Sequence, residues 1–258
     1  MSNNLHTKGI ILAGGAGTRL HPITKVISKQ LLPIYNQPMI YYPLSTLINA
    51  GIKDIMIITT KDDQHLFKRL LNNGSDFGVS INYEIQDKPN GIAEAFLISE
   101  KWLGDSNSVL ILGDNLFFGP SINRIIRNAI ENNIGSTIFG YKVKDPSRFG
   151  VIEFDNEKKV ISIEEKPSSP KSNWIATGLY IYDSSVIEKT KSLDPSPRGE
   201  LEITDLNNLY LEDQHLQVEF LDNTFSWLDT GTHDTLLEAS IFVKKIINEL
   251  GETVIGLK

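Results

Sequence analysis

The chain contains no cysteine, which excludes disulfides, thiolate zinc sites and a cysteine nucleophile. Its five histidines stand apart at positions 6, 21, 65, 215 and 233 with no HxxxH or HExxH spacing, so no zinc site is expected. No apolar run approaches the ~18 residues of a membrane span, and the amino terminus lacks the basic-then-apolar order of a signal peptide. A soluble, cytoplasmic protein with no membrane partner is expected. Acid is also missing from the first fifth. Residues 1–53 hold Lys8, Arg19, Lys25, Lys29 and Lys53 but no Asp or Glu before Asp54, although the 258-residue chain carries a net charge of −7. A basic amino-terminal segment on an acidic body points to a local polyphosphate site and argues against nucleic-acid binding.

What stands in that segment is a glycine-rich turn, Gly14-Gly15-Ala16-Gly17-Thr18, directly after the apolar run at 9–13. Glycines let backbone N–H groups approach an anion, and Arg19, Lys25 and Lys29 can supply charge to hold it. Two familiar loops do not fit. The dinucleotide fingerprint finds Gly15 and Gly17 but meets Leu20 at its third glycine, and the ribose acid expected about 20 residues on is missing. The P-loop pattern G-x-x-x-x-G-K-[ST] occurs nowhere.

Hydrophobic content of 40% and charged content of 22% are those of a globular chain. Short apolar runs alternate with amphipathic ones, as in an α/β layer fold. Strands are predicted over 9–13, 54–60, 80–86, 108–112 and 135–142, and helices over 39–50, 64–71, 92–102 and 121–132. In the last helix Ile122, Ile125, Ile126, Ala129 and Ile130 form one stripe. Beyond residue 150 the strands come closer together, at 151–154, 160–165, 174–182 and 218–222, which suits antiparallel or mixed sheet added to a parallel core. Thr204 or Asp205 is expected to cap a helix to about 212, and Thr232 another over about 233–250. No repeat or linker divides the chain, so residues 1–258 read as a single domain.

The run G-G-x-G-T-R-L-x-P-x-T followed by Lys-Gln-Leu-Leu-Pro resembles the signature of the sugar-phosphate nucleotidylyltransferases. The likeness continues in Pro38-Met39-Ile40-Tyr41-Tyr42-Pro43, Gly113-Asp114-Asn115, Arg148-Phe149-Gly150-Val151 and Glu164-Glu165-Lys166-Pro167. Thr177-Gly178-Leu179-Tyr180, the segment from Ser196 to Asp205, and Trp227-Leu228-Asp229-Thr230-Gly231-Thr232 complete it, so it spans about residues 8–245. The Ser-Lys-Gln-Leu-Leu-Pro form is similar to the branch that uses dTTP and glucose 1-phosphate. The resemblance implies a Rossmann-like fold, a mixed, mainly parallel central sheet flanked by helices, with a nucleotide-binding part over about 1–115 and a sugar-binding part over about 116–258. It implies Mg²⁺ as cofactor and dTDP-glucose and pyrophosphate as products, at the first step towards deoxysugars such as rhamnose in a cell-surface polysaccharide. A homo-oligomer is expected.

In such a reaction the nucleophile is an ionised phosphate, so the site needs positioning and charge neutralisation rather than a strong base. Arg19 and Lys29 are the candidates for the triphosphate and its developing charge. Gly14, Gly15, Gly17, Thr18 and Leu12 would cradle the nucleotide, with Gln30 and Lys25 secondary; a solvated loop is the alternative for both lysines, and suits Lys25 better than Lys29. Asp114 and Asp229 each end an apolar run. A carboxylate there can cap the next helix or turn, but two of them suit Mg²⁺, and the resemblance assigns the metal to this pair. On the sugar side stand Asn115, Gly150, Glu165, Lys166, Thr177, Arg198 and Trp227. Lys166 and Arg198 are cations for the sugar phosphate and Glu165 is an acceptor for hydroxyls, although Glu165-Lys166 alone also reads as a surface charge pair. By resemblance Gln86 and Gly91 read the base; an amide can pair a carbonyl and an N–H of a pyrimidine edge.

Members of this family commonly continue into a further carboxy-terminal helical segment that carries tetramer contacts and a regulatory nucleotide site. The sequence stops at Lys258, so weak or absent feedback inhibition through that site is expected. Alternatives of the same chemistry use UTP or another sugar 1-phosphate. A non-catalytic nucleotide-sugar-binding relative is disfavoured by the retention of Arg19, Lys29, Asp114, Lys166 and Asp229, and a dehydrogenase by the missing glycine and acid.

Overall fold

The computed structural model describes residues 6–250. Strand β1 (Thr7–Ala13) leads through a small hairpin, β2 (Pro33–Ile34) and β3 (Gln37–Pro38), into helix α1 (Tyr41–Asn49). Next come β4 (Asp54–Thr59), α2 (Gln64–Leu71), β5 (Ser80–Ile85), α3 (Glu94–Leu103) and β6 (Asn107–Leu112). These strands form a parallel sheet in the order β6-β1-β4-β5, with Ile10 in register with Leu110 on one side and Met56 on the other.

The second half extends the same sheet. It contributes β7 (Asn115–Phe118), α4 (Ile122–Asn132), β8 (Ser136–Lys142), β9 (Gly150–Phe154), β10 (Val160–Glu165) and β11 (Trp174–Tyr182). After these follow α5 (Val186–Lys191), α6 (Ile203–Glu212), β12 (Leu216–Leu221), β13 (Ser226–Asp229) and α7 (His233–Leu250). Strand β11 runs antiparallel to β6 at Leu179–Tyr182, touches β9 at Ile175, and pairs β8 along its other edge. Its register on β8 breaks between Ala176 and Tyr180. The result is a nine-stranded mixed sheet whose central strands are parallel, as the sequence pattern predicts.

Period-two alternation decides the layers. Odd-numbered Ile11, Ile55, Ile57, Val109 and Ile111 face one apolar cluster with α1, α2 and α4, while even-numbered Ile10, Leu12, Met56, Ile58 and Leu110 face a second with α3, α5 and α6. Both faces are covered, which is why these strands read as continuous apolar runs. In α4 the predicted stripe is the buried one: Ile122, Ile126 and Ala129 are enclosed, with Ile125 and Ile130 packed beside them. A third cluster joins α7 to β2 and β7 through Ala239, Val243, Ile34, Leu116 and Phe118. No described helix is long and apolar enough to cross a membrane.

Most element boundaries lie within two residues of the sequence expectation. Helix α6 is an exception in its cap. It begins at Ile203 after Glu202, and Thr204 inside the first turn spends its hydroxyl on Glu165. Thr232 does cap α7, since its hydroxyl accepts from the Thr235 N–H at 3.3 Å while the Thr235 hydroxyl accepts from the Thr232 N–H at 3.0 Å. The short strands β7 and β13 are absent from the sequence reading because four residues carry too little periodicity.

Candidate active site

The carboxyl ends of β1, β5 and β6 open onto one side of the sheet, where ligands of open α/β folds collect. There the chain leaves a cavity of about 790 Å³ lined from both halves of the sequence, a volume suited to small-molecule ligands. Leu12, Gly15, Thr18, Arg19, Gln86 and Gly91 form one wall. Asn115, Gly150, Glu165, Lys166, Thr177, Arg198 and Trp227 form the other, and Asp114 and Asp229 stand between them.

On the first wall, Gly17 adopts a left-handed conformation, φ 60°, and starts the first of three single 3-10 turns, at Thr18–Leu20, Ile23–Lys25 and Lys29–Leu31. A Cβ at Gly17 would meet the Thr24 side chain at 3.0 Å, and Thr24 Oγ1 donates to the Gly17 carbonyl at 2.7 Å. The N–H groups of Gly15, Gly17 and Thr18 donate to no acceptor among the described residues. Such free donors on a glycine turn make a concavity for an anion. Arg19 lies against Gly231, where a Cβ would be 2.8 Å from its guanidinium, so glycine at 231 makes room for the cation.

The basic segment divides. Lys29 is buried and pairs with Asp114 Oδ2, so it reaches the cavity through that carboxylate rather than from the wall. Lys25 is exposed on its turn and lines no part of the cavity. Gln30 is buried beneath Gly113, accepts from Ser28 Oγ at 2.8 Å, and is likewise absent from the wall. Gly14 packs under Gln86 and Gly17 behind the turn, supporting the cradle without lining it.

Asp229 faces Asn115 in the β13–β7 ladder and so stands beside Asp114. Burial raises the Asp114 carboxyl, but the Lys29 charge and hydrogen bonds from Lys29 and Asn115 outweigh it and hold the group below its ordinary value. Asp229 is pushed up to about 6 by burial and by the neighbouring Asp114 charge, against the pull of Lys29, Arg19 and Arg148. Two adjacent, largely buried carboxylates, one of them harder to ionise than usual, are an arrangement that a divalent cation between them would relieve. Among the described residues no three His, Cys, Asp or Glu side chains are placed to hold a metal ion together. Two oxygen donors, leaving positions for phosphate oxygens and water, match Mg²⁺ better than a metal needing a full protein cage. Capping explains neither carboxylate, because Thr232 caps α7 and the Asp114 carboxylate accepts from the Lys29 and Asn115 side chains.

The second wall is held by Asn115. Its Oδ1 accepts from the Gly178 N–H at 3.0 Å and from the Trp227 indole at 2.6 Å, while Nδ2 donates to Asp114 Oδ1 at 3.1 Å. Glu165 accepts from Thr204 Oγ1 at 2.5 Å and Lys166 Nζ at 3.0 Å. Gly150 is required here, since a Cβ would sit 2.9 Å from Thr204 Oγ1. Arg198 lies 2.8 Å from Glu202, 3.3 Å from Glu200 and 3.7 Å from Glu165. Lys166 occupies positive φ, 45°, a strained position for a lysine and the kind that marks functional sites. Thr177 lies in the irregular stretch of β11, 1% exposed, and its hydroxyl has no partner among the described residues. An orphaned buried hydroxyl at a cavity wall is a seat for a ligand.

Sequence reasoning misses Arg148 and Thr204. Arg148 lines the cavity 3.7 Å from Asp229 and over the Phe149 ring. It stands in Arg-Phe-Gly-Val, so the motif held the signal. Thr204 reads as a cap because its role depends on a strand 39 residues away.

Residues 8–246 match the family model described as Nucleotidyl transferase. The chain therefore belongs to the nucleotidyl transferase family, the class that the sheet and its two-walled cavity suit. It is 56% identical over 241 residues to the glucose-1-phosphate thymidylyltransferase of Neisseria meningitidis serogroup A, covering 93% of this chain and 84% of that one. Within the family its place is accordingly among the glucose-1-phosphate thymidylyltransferases. A Bacillus anthracis chain assigned as a glucose-1-phosphate thymidylyltransferase and crystallised with a sucrose superposes with TM-score 0.85 at 45% identity, over 92% of this chain and 94% of that one. A UDP-glucose pyrophosphorylase complexed with UDP-glucose shares the fold, with TM-score 0.81 at 23% identity over 93% of this chain and 99% of that one.

Proposed function

We propose that the protein transfers a thymidylyl group from dTTP to glucose 1-phosphate, forming dTDP-glucose and releasing pyrophosphate. The supporting observation is the convergence of a glycine cradle with Arg19, a carboxylate pair, and the cations Lys166 and Arg198 in one cavity. The names of its relatives point to the same reaction.

The reaction joins two anions, so most of its barrier is orientation and repulsion. Free N–H groups at Gly15 to Thr18 and the Arg19 guanidinium would hold the triphosphate at the carboxyl end of β1. Lys166 and Arg198 would hold the sugar phosphate opposite, with Glu165, Thr177 and the Asn115-braced Trp227 around the hexose. A phosphate oxygen of the sugar then bonds to the α-phosphorus as the bond to the β-phosphate oxygen breaks, and pyrophosphate leaves with that electron pair. Lys29 keeps Asp114 ionised throughout. Asp114 and Asp229 are the residues that would hold Mg²⁺, whose chemistry here is to neutralise phosphate oxygens.

Pyrophosphate release tests the proposal, with dTTP, UTP, ATP, CTP and GTP each offered glucose, galactose, glucosamine and mannose 1-phosphates. A dominant signal for dTTP with glucose 1-phosphate, lost with EDTA and restored by Mg²⁺, is expected. Dominance of another pair would keep the chemistry and refute the substrates. Thymine and uracil differ by one methyl, worth about 1–3 kcal/mol at most, so measurable UTP turnover is expected beside it. Thr177→Val removes only the orphaned hydroxyl. It is expected to leave the melting temperature unchanged or higher, because no internal hydrogen bond is lost, while raising KM for the sugar phosphate. An unchanged KM would remove Thr177 from the site.

A further inference from the structure

Gln86 ends the β5 arm of the first wall, and its side chain is fixed by more than packing. The amide nitrogen donates to the Gly91 carbonyl at 3.0 Å and to Glu94 Oε2 at 2.8 Å. A primary amide has two N–H donors, so both are committed inside the protein. The remaining valence is Oε1, which faces the glycine turn: a Cβ at Gly14 would lie 2.6 Å from it. The other oxygen of Glu94 accepts from Asn90 Nδ2 at 2.8 Å.

The loop between Gln86 and Glu94 is itself anchored from the opposite wall. Leu201 N–H donates to the Asn90 carbonyl at 2.6 Å and Ala93 N–H to the Leu201 carbonyl at 3.2 Å. Gly91, at φ 108°, lies so close that a Cβ would be 2.2 Å from the Leu201 carbonyl oxygen. Glu94 therefore acts from a rigid base, on a side chain that cannot turn without losing two hydrogen bonds.

We propose that Glu94 is a positioning residue for base selection, which holds the Gln86 amide so that only its carbonyl oxygen is offered to the base. This rests on the thymidylyl-transfer reading above. Thymine and uracil carry an N3–H donor between two carbonyls, whereas cytosine presents a bare N3 acceptor beside its amino group. A freely turning amide can satisfy either, by offering its oxygen to N3–H or its NH₂ to the cytosine N3. Held as observed, it meets thymine and uracil with a hydrogen bond and opposes the cytosine N3 with a lone pair. Discrimination against cytidine nucleotides then depends on a carboxylate that need not touch the nucleotide.

A first-turn carboxylate also suits the positive end of α3, but that role needs charge alone. Glu94→Gln separates the two, because its amide oxygen still accepts from Gln86 while the charge is gone and its NH₂ can donate to a turned Asn90. The experiment measures kcat/KM for dTTP and CTP with glucose 1-phosphate in wild type, Glu94→Ala and Glu94→Gln. It adds the ¹⁵N side-chain amide signal of Gln86 in each, assigned by its loss in Gln86→Leu. Glu94→Ala is expected to lower the preference for dTTP over CTP by about tenfold or more, through KM rather than kcat, and to expose the Gln86 amide protons to fast exchange. Glu94→Gln is expected to keep both the preference and the protected amide.

Asn90→Leu removes the second anchor of Glu94 and is expected to shift the preference in the same direction, which keeps the test intact should Glu94→Ala fold poorly. A wild-type preference in folded Glu94→Ala overturns the proposal. So does a loss as large in Glu94→Gln, or a lost preference with an unchanged amide signal. Absence of dTTP turnover in the wild type would refute the thymidylyl reading instead, and the amide spectra, which need no substrate, would still decide whether Glu94 holds Gln86.

Discussion

Asp114→Ala is expected to abolish pyrophosphate release and also to destabilise the fold by about 3–5 kcal/mol. The second effect comes from Lys29, which is 8% exposed and paired with this carboxylate. Removing the direct partner of a largely buried lysine leaves its charge with only the more distant Asp229 carboxylate to balance it. Asp229→Ala is expected to abolish turnover too, yet with an unchanged or raised melting temperature, because it relieves repulsion from Asp114 and gives up one direct ion pair, to Arg148 at 3.7 Å. Thermal unfolding beside the activity assay separates the two carboxylates. Adding Lys29→Met to Asp114→Ala should restore much of the stability and none of the activity. Equal stability losses in the two single variants would refute Lys29 as the private counter-ion of Asp114.

Lys166 offers the second large effect. Its left-handed backbone costs an L-residue about 1–2 kcal/mol, while its ion pair with Glu165 is half exposed and contributes little to the fold. Both Lys166→Ala and Lys166→Gly remove the proposed phosphate cation, and kcat/KM for the sugar phosphate is expected to fall about 100-fold in each. Their stabilities should differ. Glycine relaxes the backbone at φ 45° and is expected to melt higher than the alanine variant, which retains the strain. A glycine variant that keeps wild-type kcat/KM would show that the strained lysine serves the loop rather than the substrate.

How the sequence related to these outcomes differs from residue to residue. The glycine turn, the buried strands before it and after Asp54, and the stripe of α4 were legible because each is a local pattern set by backbone freedom or by period. Lys29 was ranked above Lys25 from the sequence, but the burial of one and the exposure of the other were not legible in one basic segment. The structure leaves one exposed on a turn and buries the other against Asp114. Resemblance marked Gln86 as a candidate site residue, and it lines the cavity, but the direction of its amide was not legible. That depends on Glu94 and Gly91, through a loop pinned to Leu201 more than 100 residues away.

The amino-acid sequence by itself determined the α/β class, the glycine-rich turn at the end of β1, the absence of any thiol chemistry, and the set of charged groups available to a phosphate-transfer site. Only the tertiary structure decided which of those groups meet. Asp229 stands beside Asp114 because β13 pairs with β7 across more than 100 residues of chain, and Thr204 joins Glu165 because α6 packs onto β10. Local propensity acts over a few residues, whereas a carboxylate gains a neighbouring charge, loses water or finds a hydrogen-bond donor only when distant segments close over it.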